Sequence, residues 1–347
     1  MTRLAVVGAG LIGRVHMAAI RQQAELRLST VVDPSPQARA LAAEWGVPWH
    51  ETLDALLRDD RPDGVVLATP NALHVPQALT CVAAGVPCLV EKPVAADVAE
   101  GERLWQAVRD SGVPVLVGHH RAHSPIMARA CAVVASGALG RLVGVMGSAV
   151  FYKPDAYFAE GPWRTQPGGG PVLINMVHEV HNLRMLCGEV VSVQAMASNA
   201  VRGLAVEDTV ALVLRFASGA LGTFLLSDTA ACARSWEQTA RENPSYAASD
   251  DEDCYVLTGT RGSLSVPTLR LSTCADTQAP SWCVPLERRT LALERDDPIR
   301  LQMAHFAQVV QGRASPLVTV QDGLRNVQVV AAILEAARSG CAVVLPA

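Results

Sequence analysis

No run of apolar residues in this chain reaches the roughly 18 that a membrane-spanning helix needs, so no membrane is expected as a partner. No segment is densely basic and the formal net charge is −4. Nucleic acid and anionic membrane surfaces are therefore not expected as partners either. The nine cysteines are scattered and never stand as C-x-x-C. That spacing argues against a disulfide framework and against a structural zinc site. Reduced thiols and no bound metal are the expectation. The opening residues, MTRLAVVGAG, lack a signal-peptide cleavage pattern and run straight into a strand-like stretch, which predicts a cytoplasmic protein. Internal repeats and low-complexity segments are missing too. The least regular region, Cys232 to Asp253, is polar and reads as a long surface loop.

What is present is a long chain with ample apolar content. Its 347 residues, half of them apolar, exceed what one core usually holds, so two domains are expected. RLAVVGAGLIGRVHMAAI opens with a short strand over Arg3 to Val7, then Gly8, Gly10 and Gly13 in G-x-G-x-x-G spacing, then a helix. Strand, glycine turn and helix in that order form a dinucleotide-binding signature. Gly8 permits the tight turn, Gly10 lets a pyrophosphate approach, and Gly13 lets helix and strand pack closely. Leu11 and Ile12 lie between these glycines at the helix start, whose unpaired N–H groups attract the pyrophosphate. A second strand-like run ends at Asp33, 20 residues after Gly13. A carboxylate there suits a ribose diol and repels a 2′-phosphate, so NAD is expected rather than NADP. The same DPSP segment also reads as turn and helix-cap chemistry.

Helical patterns then alternate with apolar strands as far as PVLVGHH. That alternation predicts a doubly wound parallel sheet with ligands at the carboxyl ends of its strands. The punctuation falls there: ATPNALH, EKP and GHHR.

VVGAGLIGRVHMAAI, ATPNALH and VEKPVA together resemble the Gfo/Idh/MocA oxidoreductases, which include glucose–fructose oxidoreductase and the inositol dehydrogenases. The resemblance implies an N-terminal Rossmann domain, set at residues 1–121. It also implies a C-terminal α/β domain, residues 122–347, with an open, mainly antiparallel sheet that mediates a homodimer or homotetramer. The last helix is expected to pack back on the body of the protein. The family's E-K-P lysine falls on Lys92, which the resemblance assigns to the reacting hydroxyl. A cation beside a nicotinamide cation gives up its proton more readily, and Pro93 restricts Lys92 to extended geometry. Thr69, Pro70, Asn71, His74, Glu91 and Arg164 are expected near the cofactor, with helix-start packing an open alternative for His74.

The second half turns to short consecutive strands, which suggests an antiparallel sheet. Between the first two of them, PGGGPVLINMVHEVHNLRMLCG reads as a loop and a helix closed by Gly188. Asn175, His178 and Asn182 are spaced to share one helical face, with His181 close to it. In the family this helix carries Asp-x-x-x-His and an acid three residues later. His178 matches the histidine, but Ile174 stands at the aspartate position and His181 at the acid. The resemblance therefore leaves His178 as acid/base and Asn175 as a substrate-binding group, without carboxylate assistance. Core packing for His178 and a surface role for His181 remain as the plainer readings. H-E-V-H also lacks the spacing of a zincin helix. His120, Tyr152, Trp163 and His181 are further candidates for substrate contact, and Lys153 would suit an anionic group.

The expected protein is an NAD-dependent oxidoreductase that interconverts a secondary alcohol and a ketone on a sugar, cyclitol or sugar acid. An NAD-dependent glycosidase or lyase that oxidises its substrate transiently is the first alternative. A non-catalytic NAD-binding sensor is the second.

Overall fold

The computed structural model describes residues 1–275 and 279–346. The chain forms two compact units, one of Met1–His123 with Asp297–Val327, the other of Ser124–Asp296 with Gln328 onward.

The first unit runs β1 (Thr2–Val7), α1 (Leu11–Arg21), β2 (Leu26–Val32), α2 (Pro36–Trp45), β3 (Trp49–His50), α3 (Leu53–Asp59), β4 (Gly64–Leu67), α4 (His74–Ala83), β5 (Cys88–Glu91), α5 (Val98–Ser111) and β6 (Val115–Gly118). Its sheet is parallel throughout, in the order β3-β2-β1-β4-β5-β6. The central strands carry uninterrupted apolar runs, and Leu4, Val6, Val65, Val66, Leu89, Val90, Leu116 and Val117 are fully buried. Strands covered on both faces need such runs, since neither face meets water. Local capping fixes the helix starts: Ser35, Thr52 and Asp97 each accept a backbone N–H of α2, α3 and α5, which satisfies donors the helix cannot pair itself. The sheet grows one way from β1 to β3 and the other way from β4 to β6. The crevice at that switch point opens at the carboxyl ends of β1 and β4.

The second unit adds α6 (Pro125–Ala135), β7 (Leu142–Tyr152), α7 (Asp155–Ala159), α8 (Val177–Cys187), β8 (Val190–Ser198), β9 (Thr209–Phe216), β10 (Leu221–Ser227), β11 (Thr229–Arg234), α9 (Trp236–Ala240), β12 (Tyr255–Gly259), β13 (Gly262–Val266), β14 (Arg270–Thr273) and β15 (Glu287–Thr290). The chain then returns to the first unit with α10 (Pro298–Val310), whose Val310 and Phe306 crowd Gly64 at the start of β4. Next comes α11 (Val320–Ser339), and β16 (Val343–Val344) ends the described elements. The sheet order is β15-β14-β13-β12-β7-β10-β9-β8-β16, with β11 on β7. Every pairing is antiparallel except β10 with β7. Along β9, Val210, Leu212, Leu214 and Phe216 point into a core shared with Ile126, Val180, Leu183, Val330 and Ile333. Ala211, Val213 and Arg215 face away.

The segment from Cys232 to Asp253 departs from the loop expected of it. It contains the end of β11 and α9, and Trp236 is 1% exposed. The indole packs 6.0 Å from the Tyr255 ring and donates to Glu242. One buried indole anchors a stretch whose average polarity reads as surface.

Candidate active site

At the end of β1, Gly8 takes φ +95°, and a Cβ there would come within 2.5 Å of the Ala68 carbonyl oxygen. A Cβ on Gly13 would stand 1.9 Å from the Gly8 oxygen. Around Gly10, by contrast, a Cβ would meet nothing within 4 Å. Two glycines are thus demanded by the loop itself, and the third borders open space. Gly10 caps α1 without any side chain occupying the first N–H groups, so those donors are available to an anion. Leu11 lies beside them, 84% exposed.

Asp33 holds this loop. Its Oδ2 accepts the Ala9 N–H at 2.9 Å and its Oδ1 accepts the Ser35 N–H at 2.9 Å. Burial opposes ionisation here. The hydrogen bonds from Ala9 and Ser35 outweigh it and hold the carboxyl below its ordinary range, so the group is anionic at neutral pH. A glycine cradle with open space above it, bare helix donors and a fixed anion at the end of β2 fit a dinucleotide. The turn chemistry expected of DPSP is present as well, since Ser35 caps α2.

The other strand ends of this unit carry the remaining candidates. After β4, Pro70 and Asn71 are exposed, and the Thr69 hydroxyl donates to Gln77 at 2.7 Å. His74 is 1% exposed, and its two ring nitrogens lie 2.7 and 2.8 Å from the carbonyls of Pro93 and Thr69. It ties two strand-end segments together. At the end of β5, Glu91 is buried with Oε1 2.7 Å from His16 Nε2 on α1, while Oε2 accepts the Lys92 N–H at 3.1 Å. Lys92 itself is half-buried, and His120 opens the turn after β6, also half-buried.

In the second unit, the stretch before α8 departs from the expected continuous α-helix. Val172–Met176 forms a π-helical turn and α8 begins at Val177. A π turn holds more residues than an α turn, and Asn175 lies inside it, ahead of the α-helix that carries His178. Asn182 lies four residues after His178 in α8, on the face that the spacing predicts. It is fully buried and donates to the Tyr255 hydroxyl at 3.0 Å, which in turn donates to Glu179. Asn182 thus belongs to a polar anchor on the core side of α8. His178 and His181 are 8% and 5% exposed. Such burial is the cost of a helix that is covered on almost every side.

Asn175 Oδ1 accepts from Lys153 Nζ at 2.7 Å, just beyond the end of β7. Lys153 also pairs with Asp228 at 3.2 Å. Tyr152 and Trp163 are more than half exposed, and Arg202 stacks 5.2 Å from the Tyr152 ring. The Arg164 guanidinium lies 3.9 Å from the centre of the Tyr157 ring. Sequence reasoning did not reach His16, Asp228, Arg202 or Glu207. Each is far along the chain from its partner, and no local spacing marks it.

A family model described as the oxidoreductase family, NAD-binding Rossmann fold, matches residues 2–119. The GFO/IDH/MocA C-terminal domain model matches residues 127–265. The chain is 26% identical to 1,5-anhydro-D-fructose reductase of Ensifer adhaerens, over 98% of this chain and 97% of that protein. It is 26% identical to scyllo-inositol 2-dehydrogenase (NAD(+)) of Bacillus subtilis strain 168, over 99% and 96%. In fold it is similar to the WlbA dehydrogenase from Bordetella pertussis, solved with NADH and UDP-GlcNAcA. The TM-score is 0.79, with 24% identity, covering 100% of this chain and 99% of that one. With both halves matched, the chain belongs to the Gfo/Idh/MocA family of oxidoreductases.

Proposed function

We propose that this protein is an NAD-dependent dehydrogenase that interconverts a secondary alcohol and a ketone on a sugar, cyclitol or sugar acid. The observation that carries the reading is the ionised Asp33 clamped to the glycine loop, in a chain whose full-length relatives are named as a sugar reductase and a cyclitol dehydrogenase.

The dinucleotide, when bound, supplies the hydride acceptor and donor. The bare N–H groups of α1 hold its pyrophosphate, and Asp33 accepts from its ribose diol. Thr69, Pro70, Asn71 and Arg164 complete its surroundings. Lys92 and His178 take the hydroxyl proton in oxidation and return it in reduction, without a carboxylate on the histidine helix. Asn175 holds a neighbouring oxygen of the substrate, with His120, Tyr152, Trp163 and His181 as further contacts.

The test is a titration with NAD and NADP, then a screen of polyols for reduced cofactor, with Lys92→Ala as control. Reduction by one polyol that vanishes in the variant supports the reading. Turnover without net NADH would mean transient oxidation, and tight NAD binding that no polyol reduces would mean a sensor.

Assembly belongs to the same proposal. The outer face of the second sheet exposes Met146 on β7, Met196 on β8, Val213 on β9, and Leu221 and Leu225 on β10. An apolar sheet face of that kind suits a second copy of the chain. Leu225→Lys with Met146→Glu should shift the protein to monomer in sedimentation or light scattering. An unchanged mass would remove this face from the assembly. Among the described residues, no helix is long and apolar enough to cross a membrane.

A further inference from the structure

PGGGP, Pro167 to Pro171, leads into the π-helical turn and α8 without a single polar side chain. A helix leaves its first N–H groups without partners of its own, and a Ser, Thr, Asp or Asn just ahead usually meets one of them. No neighbouring side chain caps this start. The acceptor comes from Glu207, 35 residues further on, whose Oε1 takes the Val172 N–H at 2.9 Å. Gly170 leaves room for that carboxyl. It takes φ +82°, and a Cβ on it would stand 2.6 Å from Glu207 Oε1 and 3.0 Å from Oε2. A Cβ on Gly169 would come within 2.6 Å of the Trp163 carbonyl oxygen and 2.7 Å of that of Arg164. The two glycines let the loop close on Glu207 from one side and on Trp163 and Arg164 from the other.

Glu207 is itself held from behind. The next residue, Asp208, is buried, and its Oδ2 accepts the N–H groups of Val201 and Arg202 at 3.0 Å each. The Asp208 N–H donates to the Ser198 carbonyl at 2.8 Å, and the Asp208 carbonyl accepts the Asp228 N–H at 3.1 Å. The turn between β8 and β9 is thereby closed on itself and tied to the end of β10. Burial pushes the Glu207 carboxyl above its ordinary range, and the Val172 N–H pulls it the other way. A carboxyl oxygen accepts that bond whether or not the group is ionised.

We infer that Glu207 is a positioning residue: it caps the helix from outside and so sets where Asn175 and His178 stand. The inference rests on the dehydrogenase reading above for the roles of those two side chains. They follow Val172 by three and six residues, Asn175 within the π turn and His178 at the start of α8. Without Glu207 the Val172 N–H loses its acceptor and the first turn is free to fray. Reacting groups tolerate little displacement, so a loose first turn is felt at the chemistry.

The test compares wild type, Glu207→Ala and Glu207→Gln as full chains, each below its unfolding transition. One readout is NAD reduction with myo-inositol, glucose, glucuronate and galacturonate. The other is hydrogen–deuterium exchange of the backbone amides of residues 172–178, with no ligand added. We expect kcat to fall at least about tenfold in Glu207→Ala, and exchange over these residues to speed up. Glutamine keeps an acceptor oxygen on a side chain of the same length, so Glu207→Gln should recover most of both. A Glu207→Ala protein with the kcat of wild type overturns the positioning role, even where its stability falls. Exchange unchanged from wild type overturns the cap. Equal losses of kcat in the two variants overturn it as well, because the acceptor would then not be what matters. Wild type that reduces NAD with none of the probes overturns the dehydrogenase reading. Faster exchange in Glu207→Ala, recovered in Glu207→Gln, would in that case keep Glu207 as the anchor of this helix.

Discussion

Nε2 of His16 lies 2.7 Å from Oε1 of Glu91, and the other oxygen of that carboxyl accepts the backbone N–H of Lys92 at 3.1 Å. The helix that follows the glycine loop is thus joined, through one buried acid, to the backbone of the lysine proposed for proton transfer. Neither His16 nor Glu91 needs to touch a ligand for this pair to matter. It fixes where Lys92 starts.

Breaking the pair from the histidine side should be costly. His16→Leu leaves Glu91 buried without its partner, and a loss of about 3–5 kcal/mol is expected in urea unfolding. Glu91 also sets a pH dependence. Burial pushes its carboxyl up, but the hydrogen bond and charge of His16, with Lys92 and His120, more than offset this and lower it below its ordinary 4.5. A group depressed in the folded state contributes stability above its unfolded value, and that contribution is lost as pH falls through the folded value. Wild type should therefore lose stability progressively below about pH 5, and Glu91→Gln should lose less over the same interval. Parallel acid profiles for the two would show that Glu91 is not the titrating group.

Asp33 clamps the glycine loop, and one substitution tests the cofactor choice proposed for it. Asp33→Asn keeps a side-chain carbonyl for one of the two backbone N–H groups but loses the charge. NAD affinity should fall by about tenfold, equivalent to about 1.4 kcal/mol, while NADP affinity rises because the repulsion of a 2′-phosphate is gone. Isothermal titration with both cofactors reads this directly. If NADP already binds wild type as tightly as NAD, Asp33 does not select the cofactor.

The first half of the fold was legible because its signals are local. The strand, the glycines and the cap residues sit within a few positions of one another, and Asp33 follows at a fixed spacing. The sheet of the second unit was legible from its short strands and turns. What sequence could not give were contacts between distant residues. Asn182 shares the face of His178 by helical spacing, but its partner, Tyr255, is 73 residues away. The π turn at Val172–Met176 takes in Asn175 without a residue type that announces it. The bond from Lys153 to Asn175 joins two elements that no local spacing links.

Trp236 is the sharpest correction. In a surface loop its removal would be nearly neutral. Buried against Tyr255 and bonded to Glu242, Trp236→Ala should cost about 3–5 kcal/mol. Trp236→Phe should recover much of that, since it restores bulk and loses the indole donor. Chemical denaturation of the three proteins distinguishes the two descriptions of the segment.

Gly10 and Gly13 should fail in opposite ways. In the interior of an exposed helix, glycine to alanine stabilises by up to about 1 kcal/mol. At Gly13 in α1 the new methyl would stand 1.9 Å from the Gly8 carbonyl oxygen. Backbone cannot yield as a flexible side chain does, so Gly13→Ala should destabilise the protein by about 3 kcal/mol despite that helix preference. At Gly10 nothing of the protein lies within 4 Å of the added carbon. Gly10→Ala should change unfolding stability by less than about 1 kcal/mol. The methyl would instead fill space that a pyrophosphate needs, and NAD should bind at least tenfold more weakly. Differential scanning calorimetry with and without NAD measures both effects in one experiment. A Gly10→Ala protein that binds NAD as wild type does would mean that the dinucleotide does not approach over this loop.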